Sequence, residues 1–95
     1  MAAYIIANVH VKDPDTYAGY RALVPATLER YGGRFLARGG AVERLEGETP
    51  IGRVVIIEFE SAEQARRWYH SEEYRAAKAI RTSASVGDLI LVEGV

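Results

Sequence analysis

Residues 53–64 read Arg53-Val54-Val55-Ile56-Ile57-Glu58-Phe59-Glu60-Ser61-Ala62-Glu63-Gln64, and the hydrophobic rhythm changes in the middle of the stretch. Val54 to Phe59 is an almost continuous apolar run of β-branched and aromatic residues, the pattern of a strand covered on both faces near the centre of a sheet. Ser61 with Gln64 three residues later forms a capping box, in which the serine accepts from the third-position amide and the glutamine reaches back. Strand 53–60 therefore runs directly into a helix, and that junction sets the frame for the rest of the chain.

Toward the carboxyl end, Ala65, Trp68 and Tyr69 fall on the inward side of the new helix, which pauses at His70. Ser71 caps a restart through Glu72, Glu73 and Tyr74, so two short helices are predicted. Residues 86–93 then read as a closing strand. Toward the amino end, residues 47–52, with Gly47, Pro50 and Gly52, make a turn, and residues 34–45 form a strand that bulges at Gly39-Gly40. Gly32-Gly33 suits a left-handed helix end.

The helix before it starts at Asp13, a natural N-cap, with Pro14 at its first position. Tyr17, Tyr20, Val24, Leu28 and Tyr31 recur at spacings of three and four, which places them on one stripe facing the sheet. Pro25 lies within this helix and removes the hydrogen bond to the Arg21 carbonyl, so a kink or restart is predicted there. Such a kink either curves the helix around the sheet or opens space beside Tyr20 and Leu23. Residues 4–11 form the first strand, with Ile5, Ala7, Val9 and Val11 on one face and Tyr4, Ile6, Asn8 and His10 on the other.

The resulting order, strand–helix–strand–strand–helix–strand, is that of an α+β ferredoxin-like βαββαβ fold spanning residues 1–95 as a single domain. Right-handed crossovers give an antiparallel sheet in the order 4-1-3-2 with all helices on one face. The other face then shows Tyr4, Ile6, Val54 and Ile56, an apolar surface broader than soluble monomers usually leave in water. A second copy across a two-fold axis would cover it, so a homodimer is expected.

Composition excludes several classes of function. Twelve basic against 13 acidic residues, with no basic run longer than Arg66-Arg67, lacks the footprint of a nucleic-acid binder. No cysteine is present, which removes disulfides, thiolate catalysis and cysteine-ligated metal centres. Two histidines without a metal-ligand spacing make a weak metal case, haem through His10 alone has no support, and neither glycine doublet opens a helix in the manner of a nucleotide loop, so no cofactor is expected. No apolar run is long enough to span a membrane, and Met1–Ile6 carries no basic segment ahead of an apolar one, which predicts a cytoplasmic protein.

Several stretches are similar to one family. These are Tyr31-Gly32-Gly33-Arg34-Phe35-Leu36-Ala37-Arg38-Gly39-Gly40, Val55-Ile56-Ile57-Glu58-Phe59, Trp68-Tyr69-His70-Ser71-Glu72-Glu73-Tyr74, Arg81 and Val92-Glu93-Gly94. Together they resemble the domain of unknown function 1330 family over almost the whole chain. The resemblance implies the dimeric α/β barrel superfamily, in which two ferredoxin-like sheets pack face to face. That superfamily includes cofactor-free monooxygenases, small isomerases and haem-handling enzymes, so membership implies a fold and no single chemistry.

Candidate residues follow from chemistry and position. His10 reads either as a general acid–base, a role that imidazole chemistry suits, with Glu58 as a carboxylate to orient it, or as an interface histidine. His70 reads as a solvent-facing linker. Tyr20, Trp68, Tyr69 and Tyr74 combine apolar area with a polar handle and suit a small organic ligand, which the resemblance implies would lie between helices and sheet, although most of them also suit a packed core. Arg38 and Arg81 offer planar forks for a carboxylate or enolate, with Asp88 as an alternative structural partner of Arg81. Two functions are thus expected: a homodimer binding a small organic molecule with cofactor-free monooxygenase- or isomerase-like chemistry, or a non-catalytic structural or ligand-sensing dimer.

Overall fold

Alternation in the first strand, β1 (Ala3–Val11), divides the sheet into a covered and an open face. Ala3, Ile5, Ala7 and Val9 are buried, while the residues between them are only partly so. The computed structural model describes residues 1–95. After β1 come α1 (Pro14–Tyr31), β2 (Arg34–Arg38), β3 (Arg53–Phe59), α2 (Ala62–Tyr69), α3 (Glu72–Ala84) and β4 (Ser85–Glu93). All strand pairs are antiparallel in the order β2-β3-β1-β4, the predicted ferredoxin-like arrangement read from its other edge. The molecule is a slab of 34 × 33 × 17 Å, thick enough for one sheet and one helical layer.

The helical layer sits where the sequence pattern places it. Tyr17, Tyr20, Val24 and Leu28 of α1 pack on Ile5, Ala7, Val9, Ile57 and Phe59 of the sheet. The Asp13 carboxylate accepts from the Thr16 amide at 3.2 Å, Pro14 opens the helix, and Gly32 closes it in the left-handed region at φ 71°. The break at His70 and the restart from Ser71 are both present, with Ser71 Oγ accepting from the Tyr74 amide. Ser61 Oγ accepts from the Gln64 amide as the capping box requires. The Gln64 side chain does not reach back, however; it donates to the Tyr31 carbonyl at 3.0 Å and so ties α2 to the end of α1.

Three local expectations are corrected. The helix runs unbroken through Pro25, because the Arg21 carbonyl that the proline leaves without its usual partner accepts from Arg38 Nη2 at 2.8 Å. β2 stops at Arg38 instead of Leu45: the Gly39 amide makes a last bond to the Val54 carbonyl, and φ 68° then turns the chain away. The register irregularity lies between Phe35 and Ala37 rather than at the glycine doublet.

Residues 39–52 consequently form a long irregular connection whose Val42, Leu45 and Ile51 are exposed. Asn8 anchors its far end from β1, accepting from the Gly52 amide at 2.8 Å and donating to the Pro50 carbonyl at 3.1 Å.

Candidate functional site

A cavity of about 30 Å³ lies between α1, α3 and the covered face of the sheet. Its floor is aliphatic, built from inward residues of β1, β3 and β4 such as Ala7, Val55 and Leu89. Tyr17, Tyr20 and Val24 descend from α1, and Trp68 closes one end. Around this apolar interior stand four arginines, Arg21, Arg38, Arg53 and Arg81.

Burial determines what the aromatic residues can do. Trp68 is fully buried, its ring centroid 4.0 Å from that of Tyr74 and 5.5 Å from that of Phe59. Its indole N–H donates to Thr27 Oγ1 at 3.0 Å, and Thr27 donates in turn to the Val24 carbonyl, so that polar handle is already in use. Trp68 therefore offers a ligand only its ring.

Tyr20 and Tyr74 differ in this respect. Their hydroxyl oxygens are 2.8 Å apart, one donating to the other, and Arg81 Nε donates to the Tyr74 oxygen at 3.3 Å. Burial, reinforced by the neighbouring Tyr74, pushes the Tyr20 phenol far above its ordinary range. Burial likewise raises Tyr74, against the opposing pull of Tyr20 and Arg81. Both phenols are neutral at physiological pH and act as hydrogen-bond groups.

The arginines are placed by simple periodicities. Arg53 stands directly opposite Val9 and shares the inward parity of Val55, Ile57 and Phe59. Arg81 continues the buried stripe of Tyr74 and Ala77 along α3. Arg38 pairs in register with Val55, and its guanidinium lies 4.4 Å from the Phe35 ring centroid. A side chain on Gly39 would collide with the Arg53 guanidinium, so the glycine that ends β2 also makes room for that arginine.

The candidate residues from the sequence separate into three places. Tyr20, Arg38, Trp68 and Arg81 line the cavity, and Tyr74 supports it from behind. Tyr69 stands apart, lining a shallower hollow of about 240 Å³ with Arg66 and His70 while Lys78 Nζ sits 4.1 Å from its ring centroid. His10 is on the open face opposite Val86 and does not reach the cavity. Glu58 cannot orient it, because Glu58 pairs with Tyr4 at the other end of the strand and accepts from Arg34 at 2.6 Å. Asp88 is likewise on the open face beside Asn8, and Arg81 takes Tyr74 as its partner instead.

Arg53 and Arg21 escaped the sequence reading. The parity of Arg53 with Val55 and Ile57 is a signal that could have found it. Arg21, one residue from Tyr20 on the flank of the α1 stripe, carries no such mark. No group of three or more His, Cys, Asp or Glu side chains comes together in the way a metal ion needs. No helix is long and apolar enough to cross a membrane.

The order and pairing of the elements define a class, the ferredoxin-like α+β fold. Within that class the chain belongs to the family described as Domain of unknown function (DUF1330), which it matches over residues 2–95. It is similar to a protein of unknown function from Rhodopseudomonas palustris, with 21% identity and a TM-score of 0.80 over 99% of this chain and 82% of that one. It is also similar to SnoaB, a cofactor-independent oxygenase from Streptomyces nogalater, with 14% identity and a TM-score of 0.68 over 99% of this chain and 93% of that one. A Mycobacterium tuberculosis protein shares 15% identity at a TM-score of 0.58, over 100% of this chain and 96% of that one. No curated protein matches the sequence. Identities this low speak for the fold alone.

Proposed function

We propose that this protein works as a homodimer in which each protomer binds a small organic molecule in the cavity beneath α1, with cofactor-free chemistry of the monooxygenase or isomerase kind. The observation that carries this reading is the Arg81–Tyr74–Tyr20 chain set in the wall of an otherwise apolar cavity. Arg81 donates to Tyr74, and with Tyr74 donating onward the Tyr20 O–H is left to meet a ligand oxygen. Among the lining residues there is no His, Asp, Glu, Lys or Cys. Turnover here would therefore rest on stabilising negative charge that develops on a substrate oxygen, and not on proton removal by a protein base. The fold shared with a cofactor-independent oxygenase supports the same class of chemistry by analogy.

The open face supports the homodimer. Ile90 and Val92 of β4 and Leu36 of β2 are about half exposed there, alongside partly buried Tyr4, Ile6, Val54 and Ile56. A two-fold pairing of sheets would remove that apolar surface from water.

The small volume of the cavity favours a second reading, a non-catalytic structural or ligand-sensing dimer whose aromatics are packing and whose His10 serves the interface. Native mass spectrometry at micromolar concentration, followed by thermal shift against a metabolite panel, separates the two. The expected result is twice the protomer mass and stabilisation by at least one compound, an effect lost in Tyr20→Phe. A monomer mass would remove the dimer, and a panel in which no compound stabilises the protein would leave the structural reading in place of the first.

A further inference from the structure

We propose that the ligand of this cavity is an organic anion, its carboxylate or enolate oxygens gripped by Arg53 within a ring completed by Arg21, Arg38 and Arg81, and its apolar body laid against Tyr17 and the aliphatic floor. This names the class of ligand for the site proposed above and rests on that reading.

Charge is unevenly distributed over the molecule. The chain has nearly equal numbers of basic and acidic residues, 12 against 13, yet the cavity gathers four arginines and no carboxylate. The ion pairs of the protein use other arginines, Arg30, Arg34, Arg67 and Arg75. Four like charges around a partly desolvated space repel one another, and an arrangement of this kind is compensated when an anion occupies it.

Each guanidinium also keeps donors to spare. Arg38 spends one N–H on the Arg21 carbonyl, and Arg81 spends Nε on Tyr74. A guanidinium carries five N–H donors, so both are oriented by these contacts without being exhausted. Arg53 Nε is buried with no hydrogen-bond partner at all. An N–H of this kind inside a protein is costly unless a ligand or water completes it. The Arg53 guanidinium lies 5.9 Å from the Tyr17 ring centroid, which places the unsatisfied donor beside an aromatic wall. Planar, bidentate recognition of two oxygens is what such a fork does best.

The apolar half of the ligand follows from the floor and from Tyr17 and Tyr20, which would exclude a fully hydrated inorganic ion. A cavity of about 30 Å³ is smaller than an organic molecule. Arg21 and Arg38 are exposed and stand on its solvent side, so their flexible stems are the parts that swing aside on entry.

The test is differential scanning fluorimetry of the full chain at low ionic strength, with benzoate, the neutral isostere benzamide, and inorganic phosphate as probes. Benzoate is expected to raise the melting temperature in a concentration-dependent and salt-sensitive way, with little effect from benzamide or phosphate. Arg53→Lys keeps the charge but loses the fork, and is expected to weaken benzoate binding by about tenfold or more. Arg21→Gln at the exposed rim supplies a second variant should Arg53→Lys fold poorly, and is expected to weaken binding less. Equal shifts from benzoate and benzamide would overturn the anion while leaving a small-molecule cavity. A phosphate shift as large as that of benzoate would overturn the apolar body, and silence from all three probes would overturn both the anion and the cavity.

Discussion

The two faces of the sheet come from the same strands, one residue out of phase, and they meet opposite fates. On the covered face Ile5, Ala7, Val9, Ile57 and Phe59 are sealed by helices of the same chain. On the open face Tyr4, Ile6, Val54, Ile56 and Ile90 have comparable hydrophobicity and no cover from within the protomer. Burial is thus a property of what lies above a residue, and alternation alone says only which residues share a side. The difference also separates the chemistry: the arginines and buried phenols gather on the covered face, and His10 is left on the other.

The contrast is broken most directly at Trp68. It is fully buried under the helical layer, so Trp68→Ala should cost about 3–5 kcal/mol in urea denaturation. A loss below about 1 kcal/mol would mean that the covered face is not the core. Ile90→Lys tests the other face. Ile90 is 55% exposed in the protomer, so the folding of an isolated protomer should change by no more than about 0.5 kcal/mol. In the proposed homodimer an unpaired lysine would be trapped between two sheets, so the mass by light scattering should fall from twice the chain mass to the chain mass. An unchanged dimer would move the interface elsewhere.

The smallest effect sharpens the chemical difference between the faces. Tyr20 and Tyr74 have folded pKa values above those of free phenols, so their contribution is complete below about pH 10 and declines as pH rises beyond it. The loss should reach at most about 1.4 kcal/mol per phenol for each pH unit above that point. Tyr20→Phe should flatten this alkaline decline, and an unchanged profile in denaturant titrations would place its origin outside the pair.

Much of the architecture was legible because the signals are local. Asp13, Gly32, Ser61 and Ser71 each cap or end a helix through groups within a few residues of themselves, and all four act as expected. Errors arose where a distant group intervened. Pro25 does not interrupt α1, and Arg38, far away in sequence, takes up the orphaned carbonyl. Gln64 leaves its own capping box for the end of α1. The long second strand is cut short because Gly39 turns away beside the Arg53 side chain.

The cavity was half legible for the same reason. Tyr20 and Trp68 stand on stripes with a period that the sequence displays, so their inward direction could be read. Nothing in the spacing of Arg21, Arg38, Arg53 and Arg81 announces that they converge, since they come from α1, β2, β3 and α3. The pairing of Tyr20 with Tyr74 belongs to this class too, whereas the alternation of β1 had already put His10 on the face away from both.

Sequence alone determined the order of elements, the phase of each strand and the helix ends, because these depend on covalent spacing and on hydrogen bonds closed within a turn or two. Only the tertiary structure decided which charges meet around one cavity and which polar groups are already satisfied. Those outcomes depend on distances between side chains that the chain brings together through space, and no local period encodes them.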